Sequence, residues 1–331
     1  MIGTVIITGA NGSLGLGFVE SFLSKYPQHT LVATVRNPSP DTDPNTAKLL
    51  KIVSKYPTAK VHVEALDLGN LAGVRSFAEK LAVQVASKEL PRIAAIVCNA
   101  STWSLESGQK FTSDDYESTF QVCHLSHYLL VLKLLSSMDT TSGRIVMLGS
   151  VVTYDKYNPL SSLGPCFPDN FEELVKPSSD PPKLVHDRGF QRYATAKLAN
   201  VTFANDLSER LQKDSKLSKI TVTSMDPGGL PSSRAQAGQK KSARIMMATI
   251  NQLMPVLKYF TTAFRTTEDS GRDLAIVSVD PAFEGKRGYY VGQNLDTAAP
   301  ASQDARMQKQ LWEGCWRWAG LTPAETALQN I

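Results

Sequence analysis

Cysteine is scarce in this sequence, and none of it is arranged in a recognisable binding motif. The 331 residues include Cys98, Cys123, Cys166 and Cys315, which stand far apart without a CxxC pair or a histidine at zinc-site spacing. This pattern argues against a disulfide framework and against a structural metal. We expect four reduced thiols and no bound metal.

The sequence also lacks a membrane-spanning run and a strong charge of either sign. The nearest apolar candidate, residues 245–264, is interrupted by Asn251, Gln252, Pro255 and Lys258, whereas a spanning helix needs about 20 predominantly apolar residues. The formal net charge is +4 without a Lys/Arg run, which argues against a nucleic-acid partner. Since no secretion signal precedes the first predicted strand, we expect a cytoplasmic protein without an integral membrane span.

What is present is a regular alternation of strand and helix patterns. With 42% hydrophobic and 20% charged residues, the chain can bury a full core. Strands alternating with helices predict a parallel sheet covered on both faces. We expect residues 1–331 to form one α/β domain of the doubly wound, Rossmann type. The predicted strands are 5–7, 30–35, 61–66, 93–98, 143–150, 220–225 and 289–291, and the predicted helices are 18–26, 70–88, 112–138, 190–211, 267–279 and 302–318.

A glycine-rich turn joins the first predicted strand to the first helix. Gly9, Gly12 and Gly15 let the backbone turn sharply and approach a ligand without an intervening Cβ. The following helix directs free N–H groups and the positive end of its dipole at the turn. Its natural ligand is the pyrophosphate of a dinucleotide.

The ends of the second and third strands bear on the choice of cofactor. Arg36 stands about twenty residues beyond the glycine turn, where an acidic residue favours NAD and a cation favours the 2′-phosphate of NADP(H). We therefore expect NADP(H); the alternative is an exposed arginine at a strand end. Asp67 either caps the next helix or hydrogen-bonds the adenine amino group.

Three polar residues form a candidate catalytic group. Tyr193 and Lys197 lie one turn apart on a predicted helix, so that the ammonium should lower the tyrosine pKa and ready the phenol for proton transfer. Ser150 ends a predicted central strand, where open α/β sheets bind ligands. Each residue alone is commonly structural, but their order along the chain favours a shared site.

These motifs together resemble the short-chain dehydrogenase/reductase family, in order from residue 1 to about 293. In that family Ser150 would orient a carbonyl, Tyr193 would be the general acid/base, and Lys197 would hold the nicotinamide ribose. The resemblance implies catalytic Ser150, Tyr193 and Lys197, with cofactor contacts from Gly9, Asn11, Gly12, Ser13, Leu14, Gly15, Arg36, Asp67, Leu68, Asn99, Ala100, Tyr193, Lys197, Pro227 and Gly228.

The sequence departs from the family pattern at three places. Gly12 stands one position before the usual second turn glycine, where Ser13 is found, and Ser101 replaces the glycine that usually follows Asn-Ala. Cys123 aligns with a segment where the family often has an asparagine that holds a water of the proton relay. A thiol is a poor hydrogen-bonding substitute, so the relay would be rerouted, weakened or unnecessary. His124 and His127 lie nearby, but we expect both to be structural.

Two segments resemble those of the larger reductases of the family, such as 3-ketosteroid and retinol reductases or fungal secondary-metabolite ketoreductases. Residues 151–190 are interpreted as an inserted loop with short helical pieces and residues 230–264 as a substrate lid. The lid is apolar and rich in methionine, which suits a bulky apolar substrate; a core-packed helix and a weak membrane-surface contact are the alternatives. Its apolar residues are Met246, Met247, Leu253, Met254, Leu257 and Phe260.

The sequence therefore predicts an NADPH-dependent carbonyl reductase that acts on a bulky apolar ketone or aldehyde. The alternative, indicated by Cys123, is a cofactor-binding scaffold, sensor or non-redox catalyst. The resemblance also implies a homodimer or homotetramer, paired through the two long helices that follow strands four and five.

Overall fold

The strands of the described residues form one eight-stranded sheet. The computed structural model describes residues 2–155, 160–257, 260–261 and 263–329. The strand order is β3-β2-β1-β4-β5-β6-β7-β8; β1 to β7 pair in parallel and β8 is antiparallel to β7. The order reverses between β1 and β4, which is where such sheets open a ligand crevice. The strands are β1 (Thr4–Ile7), β2 (Thr30–Val35), β3 (Lys60–Ala65), β4 (Ile93–Cys98), β5 (Arg144–Leu148), β6 (Thr221–Asp226), β7 (Gly288–Val291) and β8 (Asn294–Asp296).

Helices cover both faces of the sheet, which confirms the predicted fold class. Helices α1, α2 and α8 pack on one face around Phe18, Phe22 and Leu274. Helices α3, α5, α6 and α9 pack on the other face around Leu129 and Phe203. The helices are α1 (Ser13–Lys25), α2 (Pro44–Val53), α3 (Leu71–Ala86), α4 (Ser118–Phe120), α5 (Ser126–Leu134), α6 (Val185–Lys213), α7 (Lys241–Leu257), α8 (Thr267–Val279) and α9 (Ala305–Trp318).

Helix α2 and strand β8 were missed by the sequence analysis, and one predicted helix was extended too far. Helix α2 carries usable signals, since the Asp43 carboxylate accepts the Asn45 N–H at 2.8 Å and Pro44 occupies the first position. Strand β8 has three exposed residues and too few side chains to form a pattern. The helix predicted over 112–138 begins at Ser118, and a π-helical turn, Gln121–Leu125, separates α4 from α5.

The predicted lid contains a helix, and the helix that follows the insert begins earlier than predicted. In the insert, the short 3₁₀ turns at Val151–Thr153 and Phe171–Leu174 agree with the short helical pieces expected there, and α6 already begins at Val185. The lid consists of a 3₁₀ turn, Arg234–Gly238, followed by α7. Residues 156–159 of the insert and 258, 259 and 262 of the lid lie outside the described residues. Within the described ranges, no helix combines the length and apolar character that crossing a bilayer requires.

The C-terminal helix α9 occupies the outer face of α5 and α6. The Trp312 ring lies 5.4 Å from that of Tyr128 and 5.9 Å from that of Phe203, and the Arg210 guanidinium lies 3.8 Å above the Trp312 ring. Every residue of α5 except Lys133 is buried. The helices that were expected to pair two subunits are therefore covered by the chain's own C-terminal segment.

Glu325 ties the end of the chain to two helices of the core. Its carboxylate accepts hydrogen bonds from Arg75 of α3, from Lys133 of α5 at 2.9 Å, and from the backbone of Thr322 at 3.0 Å. Burial alone would raise the pKa of Glu325, but these donors lower it to about 2. The folded state therefore favours the ionised carboxylate more than the unfolded state does.

We expect Glu325→Gln to lower the free energy of unfolding at neutral pH by about 1–2 kcal/mol. Because the folded pKa lies below the unfolded value of about 4.3, this contribution is present above that value and is lost as the pH falls towards 2. Urea denaturation across this range measures the change, with the exposed Glu106→Gln as the control. A difference between wild type and variant that persists undiminished at low pH would contradict this assignment.

Candidate active site

A large cavity opens at the carboxyl ends of β1, β2, β4, β5 and β6. Its volume is about 1500 Å³. Of the predicted site residues, Gly15 alone does not line it. A Cβ at Gly15 would lie 2.5 Å from the carbonyl oxygen of Gly9, so this glycine permits close packing beneath the turn. The predicted residues that line the cavity are Gly9, Asn11, Gly12, Ser13, Leu14, Arg36, Asp67, Leu68, Asn99, Ala100, Ser150, Tyr193, Lys197, Pro227 and Gly228.

The glycine turn fits the pyrophosphate of a dinucleotide. Gly9 has a φ of +65°, a conformation that favours glycine, and a Cβ there would lie 3.0 Å from Ala100. Helix α1 begins at Ser13, and neither a side-chain cap from Gly12 nor an acidic residue in the first turn competes for its free N–H groups. This end of the cavity is therefore suited to an anion.

The hydroxyl of Thr8 joins the glycine turn to the end of β4. It accepts the backbone N–H groups of Asn99 and Ala100 at 3.0 and 2.9 Å. It also lies 2.8 Å from Nε2 of His127, whose Nδ1 lies 3.1 Å from the Cys123 carbonyl oxygen. Because that carbonyl only accepts, these partners place the ring proton on Nδ1 and assign Nε2 as the acceptor of the Thr8 proton. The sequence analysis did not include Thr8 among the site residues.

At the adenosine end, Arg36 is exposed and lines the cavity. Asn11 links the turn to α2, donating to the Asp43 carboxylate and to the Thr46 hydroxyl, each at 3.0 Å. Asp67 does not cap α3, because that role belongs to Asn70; its carboxylate accepts the Gly69 N–H at 2.8 Å. The capping role considered for Asp67 is therefore wrong, and the adenine contact stays a prediction.

The candidate catalytic residues Ser150, Tyr193 and Lys197 line the same cavity. The Lys197 ammonium lies 5.7 Å from the centre of the Tyr193 ring. Ser150 precedes a 3₁₀ turn, with its hydroxyl 3.5 Å from the backbone nitrogen of Val152. A hydroxyl, a phenol and an ammonium thus converge on one space.

The pKa of Tyr193 shifts in the direction opposite to the sequence-based expectation. Burial raises it, and the nearby Cys123 and Asp226 raise it further. Burial also lowers the pKa of Lys197, which weakens the stabilisation of a phenolate. Tyr193 is therefore a protonated phenol at neutral pH.

The carbonyl oxygen of Leu148 positions the lysine. It accepts hydrogen bonds from Lys197 Nζ at 3.2 Å and from Asn200 Nδ2 at 3.0 Å. Asn200 Oδ1 in turn lies 2.9 Å from Nδ1 of the buried His124. Since an ammonium has three donors, Lys197 retains donors for a ligand. Asn200 was not identified from the sequence, although it lies one turn beyond Lys197.

Cys123 is bound to a neighbouring loop. Its thiol donates to the Thr102 carbonyl at 3.2 Å and accepts the Thr102 N–H at 3.3 Å. Burial raises its pKa, so the residue is an uncharged thiol. It therefore fixes the loop after β4 and does not act as an exposed polar relay.

His124 and His127 are structural, as expected. Burial lowers their pKa values to about 4 and about 3, respectively. Both rings are therefore neutral at physiological pH and serve as hydrogen-bonding links between buried elements.

Trp103 was missed by the sequence analysis and forms part of the wall around the tyrosine. Its ring lies edge-on to Tyr193 at 4.9 Å and 6.3 Å from Phe190. Its indole N–H donates to the Ala235 carbonyl of the lid at 3.0 Å. The only sequence signal was its position shortly after Asn99.

The lid lines the cavity with a different set of apolar residues from the one predicted. Of the predicted residues, Met246 and Met247 face the cavity, whereas Met254 is buried and Leu253 and Phe260 are exposed. Three other lid residues, Leu230, Ile250 and Phe264, complete the apolar wall together with Leu160 and Phe190 from outside the lid.

The sheet is doubly wound, and Ser150, Tyr193 and Lys197 surround the crevice where its strand order reverses. This combination defines the class of protein as the dinucleotide-dependent oxidoreductases. The profile described as short chain dehydrogenase matches residues 3–162, and that of the AcuH dehydrogenase domain matches residues 235–328.

Relatives match over nearly the whole chain. The short-chain dehydrogenase iccH of Talaromyces variabilis is 32% identical, covering 99% of this chain and 98% of that protein. Retinol dehydrogenase 14 of Homo sapiens is 25% identical, covering 94% and 84%. The structure of L-sorbose reductase from Gluconobacter frateurii shares the fold, with a TM-score of 0.56 and 17% identity, and covers 89% of this chain and 96% of that one. The chain belongs to the short-chain dehydrogenase/reductase family and is an oxidoreductase of the kind that binds NAD or NADP.

We expect Thr8→Val to lower the free energy of unfolding by about 1–3 kcal/mol, because it leaves the Ala100 N–H and Nε2 of the buried His127 without a partner. Thr8→Ser keeps the hydroxyl and should lose less than half as much. Urea denaturation measures both variants, and a fluorescence titration with NADPH should show weaker binding by Thr8→Val alone. Equal stability of the two variants would exclude this role of the hydroxyl.

Proposed function

We propose that this protein is an NADPH-dependent carbonyl reductase that acts on a bulky apolar ketone or aldehyde. The observation that carries the proposal is the convergence of Ser150, Tyr193 and Lys197 on one cavity whose far wall is apolar. The whole chain would act as one domain, with residues 151–190 and 230–264 enclosing the substrate. A role in secondary metabolism agrees with the resemblance to fungal ketoreductases.

The bound dinucleotide would supply the hydride for the carbonyl carbon. Tyr193 would donate the proton to the carbonyl oxygen, since its phenol is protonated at neutral pH. Ser150 would hold the same oxygen through its hydroxyl. Lys197 would use its remaining donors to hold the nicotinamide ribose and to stabilise the tyrosine after proton loss.

NADPH is proposed over NADH because Arg36 supplies a cation on the side of the cavity formed by the end of β2. Arg36 directly follows β2 and lines the cavity, and a guanidinium matches phosphate geometry. The L-sorbose reductase structure contains NADPH and that of the angucycline C-6 ketoreductase LanV contains NADP, which supports the same choice here.

We expect Tyr193→Phe to lower kcat by about 10²–10⁴-fold, the usual contribution of general acid catalysis. NADPH oxidation with a panel of bulky ketones measures turnover, and fluorescence titration should show unchanged NADPH binding. Tyr56→Phe, outside the cavity, is the matched control. If Tyr193→Phe retained full turnover, the proton donor would be a different group. NADPH binding by the wild type without turnover of any ketone would instead favour the non-redox function considered for Cys123.

We expect Arg36→Ala to raise the KM for NADPH about tenfold or more, because a charge-assisted contact with the 2′-phosphate is lost. The KM for NADH should change little, since NADH lacks that phosphate. Initial rates with both cofactors measure the preference, and the exposed Arg306→Ala is the control. An equal rise of KM for both cofactors would show that Arg36 does not discriminate between NADPH and NADH.

A further inference from the structure

The lid region has an unusual separation of charge. Between Asp226 and Glu268 the sequence contains six lysine and arginine residues and no aspartate or glutamate. The chain as a whole has a net charge of only +4, so the remainder is acidic on balance. The net positive charge of the protein is therefore concentrated in this segment of the sequence, where Arg265 is paired with Asp273 and Lys241 and Arg244 lie in the first turn of α7.

Helix α7 has two apolar surfaces. On the inner surface, Met247 and Met254 are buried. The outer apolar face, defined here as Ile245, Leu253, Val256 and the following Phe260, is exposed by 59, 51, 59 and 81%. Residues 245, 253 and 256 recur at helical spacing, so they form one stripe. This stripe has no covering element among the described residues.

Cations accompany the outer apolar face in the first turn of the helix. Lys241 and Arg244 are exposed, and the described part of the chain provides neither with an ion-pair partner. Exposed aliphatic and aromatic side chains beside lysine and arginine are typical of helices that lie in a membrane interface. Anionic headgroups complement such cations at close range.

A second copy of this chain is a poorer occupant of the same face. A symmetric dimer would place the same surface on both sides of the interface. Lys241 and Arg244 would then approach their own copies, and no acidic residue of the lid could compensate for the repulsion.

We propose that the outer apolar face of α7 docks on an anionic membrane surface. Leu253, Val256 and Phe260 would enter the boundary between headgroups and acyl chains, while Lys241 and Arg244 would contact the headgroups. The docked helix would also place the lid side of the cavity beside the membrane, since Met246 and Ile250 of α7 line that cavity. The docking does not depend on the proposed reduction.

Sedimentation of the full chain with vesicles tests this proposal. We expect binding to vesicles containing about one third phosphatidylserine, weaker binding at high salt, and little binding to pure phosphatidylcholine vesicles. The double variant Leu253→Asp/Val256→Asp should bind at least about tenfold more weakly, because two apolar side chains no longer leave water. Lys241→Glu/Arg244→Glu should lose the preference for anionic vesicles.

Val83→Asp is the matched control, since Val83 is 66% exposed on α3 and its substitution should leave vesicle binding unchanged. NADPH titration verifies that each variant is folded. Absence of binding to anionic vesicles, or equal loss in the Val83 control, would overturn the proposal. Analytical ultracentrifugation tests the alternative occupant. If the wild type is a dimer and Leu253→Asp/Val256→Asp is a monomer, the outer apolar face binds a second copy of the chain, and the membrane proposal is overturned.

Discussion

The three hydrogen bonds of the Thr8 hydroxyl set the geometry on which the rest of the site depends. They connect the end of β1 to the backbone of Asn99 and Ala100 at the end of β4, and to His127 of α5. These two strand ends border the crevice at which the strand order reverses, so the hydroxyl fixes the width of the space that a dinucleotide would enter. The link requires a neutral imidazole, and burial provides one by lowering the pKa of His127 to about 3.

Burial also determines the proton chemistry of the catalytic group. It raises the pKa of Tyr193 and lowers that of Lys197, and both shifts oppose charge in a site shielded from water. The Leu148 carbonyl stabilises the Lys197 ammonium by accepting a hydrogen bond. This bond fixes the position of Lys197 near the tyrosine and leaves the charge of the ammonium in place. The site thus keeps a phenolic proton available in its resting form, which the proposed reduction would need, and in that proposal the lysine would stabilise later charge on the phenol.

The sequence alone predicts those features that depend on a local pattern of residues. It fails for features that are determined by contacts between distant parts of the chain. Strands β2 and β4 and helix α8 have the bounds expected from composition and periodicity, because each buries a regular pattern. The role of Thr8 was not predictable, since its partners lie some 90 residues away. The expected pKa shift of Tyr193 was wrong because helical spacing reveals the neighbouring ammonium but not the depth of burial. The lid residues were assigned to the cavity as a group because an apolar sequence does not distinguish the inner from the outer surface of α7.

The 3₁₀ turn Arg234–Gly238 connects the cofactor end of the cavity to the substrate end. The Arg234 N–H donates to the Ser13 hydroxyl beside the pyrophosphate-binding turn at 3.1 Å. The adjacent Ala235 carbonyl accepts from Trp103, which packs on Tyr193. Because the two contacts are one residue apart, this single turn touches both the glycine-rich turn and the wall beside the tyrosine. The lid therefore borders both ends of the cavity although it contributes none of the three candidate catalytic residues.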